Sequence, residues 1–171
     1  DMKKLEDNMP DIVKAIYDTV PVAKENSEVE VRYYDGSRGV KTIYEDALSS
    51  KELRSYVNMD IVASVFPENA ELFNTALRKN PELKVWEIVD VSETSKHLIK
   101  EFFSKSSNYK FKFTPKTLAL TSADVLIYDG KVGIVNASDK KTGMVITNLE
   151  YYNNSKAIFD FIWELMPEDK L

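Results

Sequence analysis

Apolar positions along the chain change their period several times, and each change predicts an element. Leu5, Met9, Ile12, Val13, Ile16, Tyr17 and Val20 recur at helical spacing, a stripe suited to a coiled-coil seam, with Pro10 either opening or kinking the helix. Pro21–Ser27 reads as a linker. Glu28–Tyr34 alternates as a strand does. Asp35-Gly36 supplies a turn, and Val40, Ile43, Tyr44, Ala47 and Leu48 return to helical spacing. Leu53–Val57 predicts the next strand. A helical stretch follows through Phe66, Leu72, Phe73, Ala76 and Leu77 and is stopped by Asn80-Pro81. Leu83–Val91 is a third strand, and Ser92 with Ser95 caps a helix carrying Leu98, Ile99, Phe102 and Phe103.

Three strand-then-helix units in succession predict a parallel core. The remainder has a different style. Tyr109–Phe113 alternates aromatic residues with lysine, as an edge strand with outward lysines does. Asp124–Tyr128, Lys131–Val135 and Gly143–Thr147 are strands joined by the tight turn Asp129-Gly130 and the polar loop Ser138–Thr142, an antiparallel meander. Tyr152–Met166 places Ile158, Phe159, Ile162, Trp163 and Met166 on one helical face, with Asn153 or Asn154 as cap and Pro167 beyond the end. The expected fold class is therefore α/β: parallel β-α units followed by an antiparallel meander, flanked by helices. Residues 1–26 are read as an N-terminal linker and dimerisation helix, and 27–171 as one α/β domain.

Composition narrows the chemistry. The chain has 171 residues, 43% of them hydrophobic, enough for one ordinary core. It has no cysteine, which removes thiolate catalysis, thiolate metal sites and disulfides and suits a reducing compartment, so the cytoplasm is expected. No run is apolar and long enough to span a bilayer, so no membrane partner is expected. A net charge of −5 disfavours wholesale wrapping of nucleic acid, which would have to be contacted locally.

Candidate chemistry is sparse. His97 is the only histidine and lies in a predicted surface helix without a nucleophile elbow, so no histidine relay is expected. One histidine, no cysteine and scattered carboxylates leave no metal site and no cofactor. Gly36-Ser37-Arg38-Gly39 lies where a strand meets a helix. Its amides and Arg38 would hold an anion there, or Gly36 completes a turn and Ser37 caps the helix. Lys96, Lys100, Lys105, Lys110, Lys112 and Lys116, interleaved with Phe102, Phe103, Tyr109, Phe111 and Phe113, admit a nucleic-acid surface. They also read as core aromatics with snorkelling lysines.

Two stretches then carry a resemblance. Val31-Arg32-Tyr33-Tyr34-Asp35-Gly36, Gly39-Val40-Lys41 and Ile43-Tyr44-Glu45-Asp46-Ala47-Leu48 resemble the start of the C-terminal domain of TrmB-like transcription regulators. The closing hairpin and helix of that family resemble three segments here: Ile127–Val135, Gly143–Ile146 and Ala157–Glu164. The resemblance implies a phospholipase D-like fold used for effector sensing and dimerisation, and it identifies Leu5–Val20 as the helix leading to a winged-helix DNA-binding head that these 171 residues do not include. It implies a homodimer, with DNA reached only through that head.

Phospholipase D enzymes need His and Lys two apart with Asp five further on. Counting back from Asp129 gives Asp124 and Ser122, so the resemblance implies an inert site and a chain that is not an enzyme. A small effector, a sugar or a phosphorylated metabolite, is expected where the strands' carboxyl ends open, near Ser37, Arg38, Asn58, Asp60, Asp90, Ser92, Ser122 and Asp124. A stand-alone nucleic-acid or partner-binding module, and a phosphodiesterase-like enzyme, are the alternatives.

Overall fold

The computed structural model describes residues 29–168 except 116–117, 121–122 and 137–139. The predicted helix at Leu5–Val20 and the linker after it, together with Ser122 and Lys116, lie outside the described residues.

Seven strands form one mixed sheet. In chain order the elements are β1 (Glu30–Asp35), α1 (Gly36–Leu48), β2 (Glu52–Val57), α2 (Met59–Val65), α3 (Asn69–Lys79), β3 (Lys84–Val89) and α4 (Glu93–Leu98). A π-helical turn, Ile99–Phe103, continues α4. β4 (Tyr109–Phe113), β5 (Ala123–Tyr128), β6 (Lys131–Asn136), β7 (Thr142–Thr147) and α5 (Leu149–Leu165) complete the chain. The sheet order is β1-β7-β6-β5-β2-β3-β4.

A parallel core of three strands forms, but with different members than expected. β2, β3 and β4 pair in parallel. β1 does not join them: it pairs antiparallel with β7 at the opposite edge, Glu30 facing Thr147 and Asp35 facing Thr142. Local periodicity predicts that a strand forms but not which strand it finds. β4 closes the other edge, as its lysines predict, and β5–β6–β7 is the expected meander. Asp129 (φ 39°) and Gly130 (φ 76°) make its first turn, both left-handed as a two-residue hairpin requires.

Helix boundaries differ in three places. The long helix expected before Asn80 is two, α2 and α3, broken around Pro67, which cannot donate to a continuing helical ladder. α5 begins a turn earlier than expected, and its cap is Asn148, whose side chain accepts from Tyr151 N at 2.7 Å. Ser37 is not a cap but a residue of α1's first turn, and Asp35 stands at the N-cap without a side-chain cap bond.

One face of the sheet carries α1 to α4 and the π-helical turn, the other α5. α1 sits close over β6 and β7 because glycines face it. A Cβ on Gly143 would lie 2.5 Å from Ile43 Cδ1, and one on Gly133 3.1 Å from Ile43 Cγ2. On the opposite face Phe159, fully buried, anchors α5 with Ile88 and Ile127. Ile158, expected to point inward, is instead 59% exposed.

Candidate functional site: a crevice and the acids beneath it

β1, β2, β3, β4 and β6 all run in one direction, so the residues following them, and those preceding β5 and β7, gather at one end of the sheet. An open crevice of about 340 Å³ lies there, lined by Asn58, Asp90, Val91, Thr114, Pro115 and 118–120. The structure therefore brings Asn58 and Asp90 together, as the β-α rhythm predicts.

Asn58 spends both of its side-chain polar atoms on the fold, and Asp90 spends one oxygen, Oδ1. Asn58 Oδ1 accepts from Ile61 N at 3.1 Å, capping α2, and its Nδ2 donates to the Leu120 carbonyl at 2.7 Å. Asp90 Oδ1 accepts from Met59 N at 2.6 Å and from Ser95 Oγ at 3.1 Å. Ser92 caps α4 as predicted, its Oγ accepting from Ser95 N at 3.0 Å. These bonds make the crevice wall rigid. Asp60, in the first turn of α2, is exposed but does not line the crevice, whereas the lining residues Val91 and Leu118 are exposed there.

Ser37 and Arg38 are exposed. One amide at this helix start, Gly36 N, donates to the Lys141 carbonyl at 2.8 Å. The lysine run also divides. Lys112, expected outward, is buried, and its Nζ donates to the Trp163 and Met166 carbonyls, both at 2.7 Å, capping the end of α5. Lys96 pairs with Glu93, while Lys110 is exposed.

Asp124 is the residue whose placement departs most from a crevice role. It is buried under α1, where its carboxylate accepts from Tyr44 Oη at 2.9 Å and Ser55 Oγ at 3.0 Å. Burial pushes its pKa up to about 6 against the pull of those two donors. Asp129 lies in the turn at the far end of β5, roughly 16 Å away at strand rise, so Asp124 and Asp129 do not share a site.

Sequence reasoning missed Glu87. It is buried in the middle of β3, Tyr109 Oη donates to its Oε2 at 2.6 Å, and burial raises its carboxyl to about 8, with Asp124 adding to the rise. The available signal was an acid set between apolar neighbours in Lys84-Val85-Trp86-Glu87-Ile88-Val89. Burial likewise holds the Tyr44 and Tyr109 hydroxyls well above their usual range, so both remain donors. Two carboxyls that change charge between about 6 and 8 are groups able to exchange protons near neutrality. Among the described residues no three His, Asp or Glu side chains are gathered as a metal ion would require, and no helix is long and apolar enough to cross a membrane.

No protein-family model and no curated protein sequence matches the chain. Solved structures do. A phospholipase D family member, Nuc from Salmonella typhimurium, is 13% identical and aligns over 84% of this chain and 99% of its own, with a TM-score of 0.63. NucT from Helicobacter pylori is 11% identical over 82% of this chain and 99% of its own, TM-score 0.58. TrmBL2, an archaeal chromatin protein with a novel mode of DNA binding, is 12% identical over 98% of this chain, TM-score 0.55, and this chain spans 64% of its length. The expectation that the chain is not an enzyme is corrected by this set. That exclusion had rested on Ser122 and Asp124 standing where the phospholipase D pattern needs histidine and lysine, counted back from Asp129, and overlap with 99% of Nuc and 99% of NucT removes its ground. At these identities the likeness establishes the fold: the chain has a phospholipase D-like α/β architecture.

Proposed function

We propose that the chain is the effector-receiving and dimerising domain of a TrmB-like transcription regulator. The observation that carries this reading is the reach of the TrmBL2 alignment, 98% of the chain against 84% and 82% for Nuc and NucT. The resemblance of Val31–Gly36 and Ile127–Val135 to that regulator family supports it independently. In this reading a sugar or phosphorylated metabolite enters the crevice beyond β2, β3 and β4. The bonds of Asn58, Asp90 and Ser92 hold the wall in shape, and the exposed Asp60, two residues beyond Asn58, is within the chain segment that would meet the ligand. Two copies pair through the N-terminal helix, and DNA is engaged through a winged-helix head joined to it.

Calorimetric titration of the chain with a panel of sugars and sugar phosphates tests the effector. Saturable heat that disappears in Leu118→Glu, which places a charge on the exposed crevice rim, supports the proposal. Absent heat and an unchanged melting temperature across the panel remove it. A second reading, phosphodiester chemistry, is favoured by the overlap with the phospholipase D family member. It predicts turnover of a chromogenic aryl phosphodiester that is lost in Asp124→Asn, and such turnover would displace the regulator reading.

A further inference from the structure

β1 and β4 are the two edges of the sheet, and they meet their surroundings on different terms. β4 carries an exposed lysine, Lys110, and a lysine on an edge discourages a further strand from adding to it. β1 has neither lysine nor proline, and its register with β7 runs unbroken from Glu30 facing Thr147 to Asp35 facing Thr142, so no bulge twists it away. Among the described residues no strand lies outside β1. In an antiparallel strand alternate residues turn their backbone N–H and C=O groups away from the neighbour, so half of those on β1 point outward.

The side chains of the strand are open as well. Tyr34 packs toward the α1 side of the sheet, so by alternation Val31 and Tyr33 stand on the α5 side, 42% and 78% exposed, opposite Ile146 and Met144 of β7. Glu30 and Arg32 share the face of Tyr34 and bridge each other at 2.7 Å, both side chains more than half exposed. The strand therefore offers backbone donors and acceptors at its edge, an apolar pair on one face and two opposite charges on the other.

We propose that β1 is a docking edge for a second copy of this chain, the two strands pairing antiparallel about a twofold axis at Val31 so that one sheet runs through both copies. Self-complementarity selects this occupant. Antiparallel pairing sets two outward-bonding residues, or two inward-bonding ones, opposite each other, so a strand meets its own copy only in registers that oppose residues an even number of positions apart. Centred on Val31, Glu30 of each copy faces Arg32 of the other, Val31 faces Val31, and Val29 faces Tyr33. Centred on Arg32, that guanidinium faces its own copy; centred on Tyr33, Asp35 faces Val31. Opposite charges and apolar pairs directly across a ladder stabilise it, and like charges destabilise it, so the first register alone satisfies both faces. The interface goes beyond the helix pairing proposed above and rests on β1 by itself.

The chain has no cysteine, so single cysteines report the geometry without background. At the axis the two residue-31 Cα atoms lie about 4.5–5.5 Å apart, within disulfide reach, whereas the two at residue 33 lie roughly 14 Å apart at strand rise. Val31→Cys is expected to give a covalent dimer under mild oxidation of the whole chain, and Tyr33→Cys is not. In the Val31→Cys background, Arg32→Glu sets acids against acids and Glu30→Arg bases against bases, and each is expected to slow cross-linking about tenfold. Mixing these two variants in equal amounts sets acids against bases and is expected to restore the rate. Glu30→Arg favours the reactive thiolate, so its slowing reports repulsion between copies rather than a less reactive sulfur. Four results overturn the proposal: no covalent dimer from Val31→Cys, equal cross-linking at 31 and 33, unaltered rates in the charge variants, or no recovery on mixing. A dimer held by the N-terminal helix alone persists in sedimentation without any preference for position 31, so the edge and the helix pairing fail separately.

Discussion

The two faces of the sheet solve the problem of burial differently. The face under α1 to α4 buries acids: Asp124 and Glu87 point into it from β5 and β3, with Ser55 of the intervening β2 beside Asp124, and Tyr44 and Tyr109 supply hydroxyl donors from α1 and β4. The face under α5 buries cations. Arg54 lies over the Trp86 ring at 4.8 Å and bonds Asp160 of α5 at 2.5 Å, and Lys112 lies over the Trp163 ring at 5.0 Å while capping the helix. The thick layer thus keeps acids near the proton-exchange range, whereas the thin layer uses cations as ties that fix one helix in place. The second arrangement leaves much unburied: Val31 and Tyr33 of β1, and Ile158, Phe161 and Leu165 of α5, all remain exposed.

That contrast breaks most readily at the anchor of the thin layer. Phe159→Ala is expected to cost about 3–5 kcal/mol in chemical denaturation, since the ring is fully buried and packs on Tyr56 and Trp163. A loss below about 1 kcal/mol would mean that the cations alone hold α5. The acids of the thick layer are expected to make stability fall as pH rises. The folded state keeps protons on Glu87 up to about 8 and on Asp124 up to about 6, while the unfolded chain releases them near the ordinary carboxylate values of 4.5 and 3.8. Their contribution is fully present below the unfolded values and is lost as pH rises through the folded ones, a total on the order of a few kcal/mol. Melting temperatures from pH 4 to 9 are therefore expected to decline. Glu87→Gln should flatten the curve up to about pH 8, and Asp124→Asn only the portion up to about pH 6.

Close packing is the next target. Gly143→Ala forces its Cβ against Ile43 and the Ile134 carbonyl and is expected to cost about 1–3 kcal/mol, measured as a lowered denaturation midpoint with an unchanged slope. Asn148→Ala removes the cap of α5 and is expected to cost about 1 kcal/mol, with Asn153→Ala, the cap expected from sequence, costing less. Phe161→Ala, on the same helix as Phe159 but 66% exposed, is expected to change stability by less than about 0.5 kcal/mol. A large loss there would show that the outer side of α5 is covered in solution.

The sequence announces what is local and withholds what is relational. Tight turns, caps and edges have their own chemistry: Asp129-Gly130 adopts the left-handed pair its residues favour, Ser92 caps α4, and the lysines of β4 mark an edge. The partner of β1 is not so encoded, because alternation is satisfied by any neighbour of the right polarity. The same limit holds at the candidate sites. Asn58 and Asp90 are brought together at the crevice as strand-end residues should be, but polar residues after strands serve capping and ligand contact equally well, and here their atoms serve the fold first. Lys112 shows the reverse error, since alternation identifies the face a residue occupies but not that a helix will cover that face. Glu87 becomes visible only when β3 is assembled beside β4 and its Tyr109.

The pairing of β1 with β7 has a kinetic consequence. Glu30 meets Thr147 across more than a hundred intervening residues, and the loop that closes is the whole remainder of the sheet. During synthesis the β2–β3–β4 sheet and its helices are complete while β1 still lacks its neighbour, and only after β7 emerges does the first strand acquire a ladder. The last step of folding therefore joins the earliest residues of the domain to some of the latest. Refolding of this chain is expected to be limited by that long-range closure rather than by its helices, placing it among slow-folding topologies of high contact order.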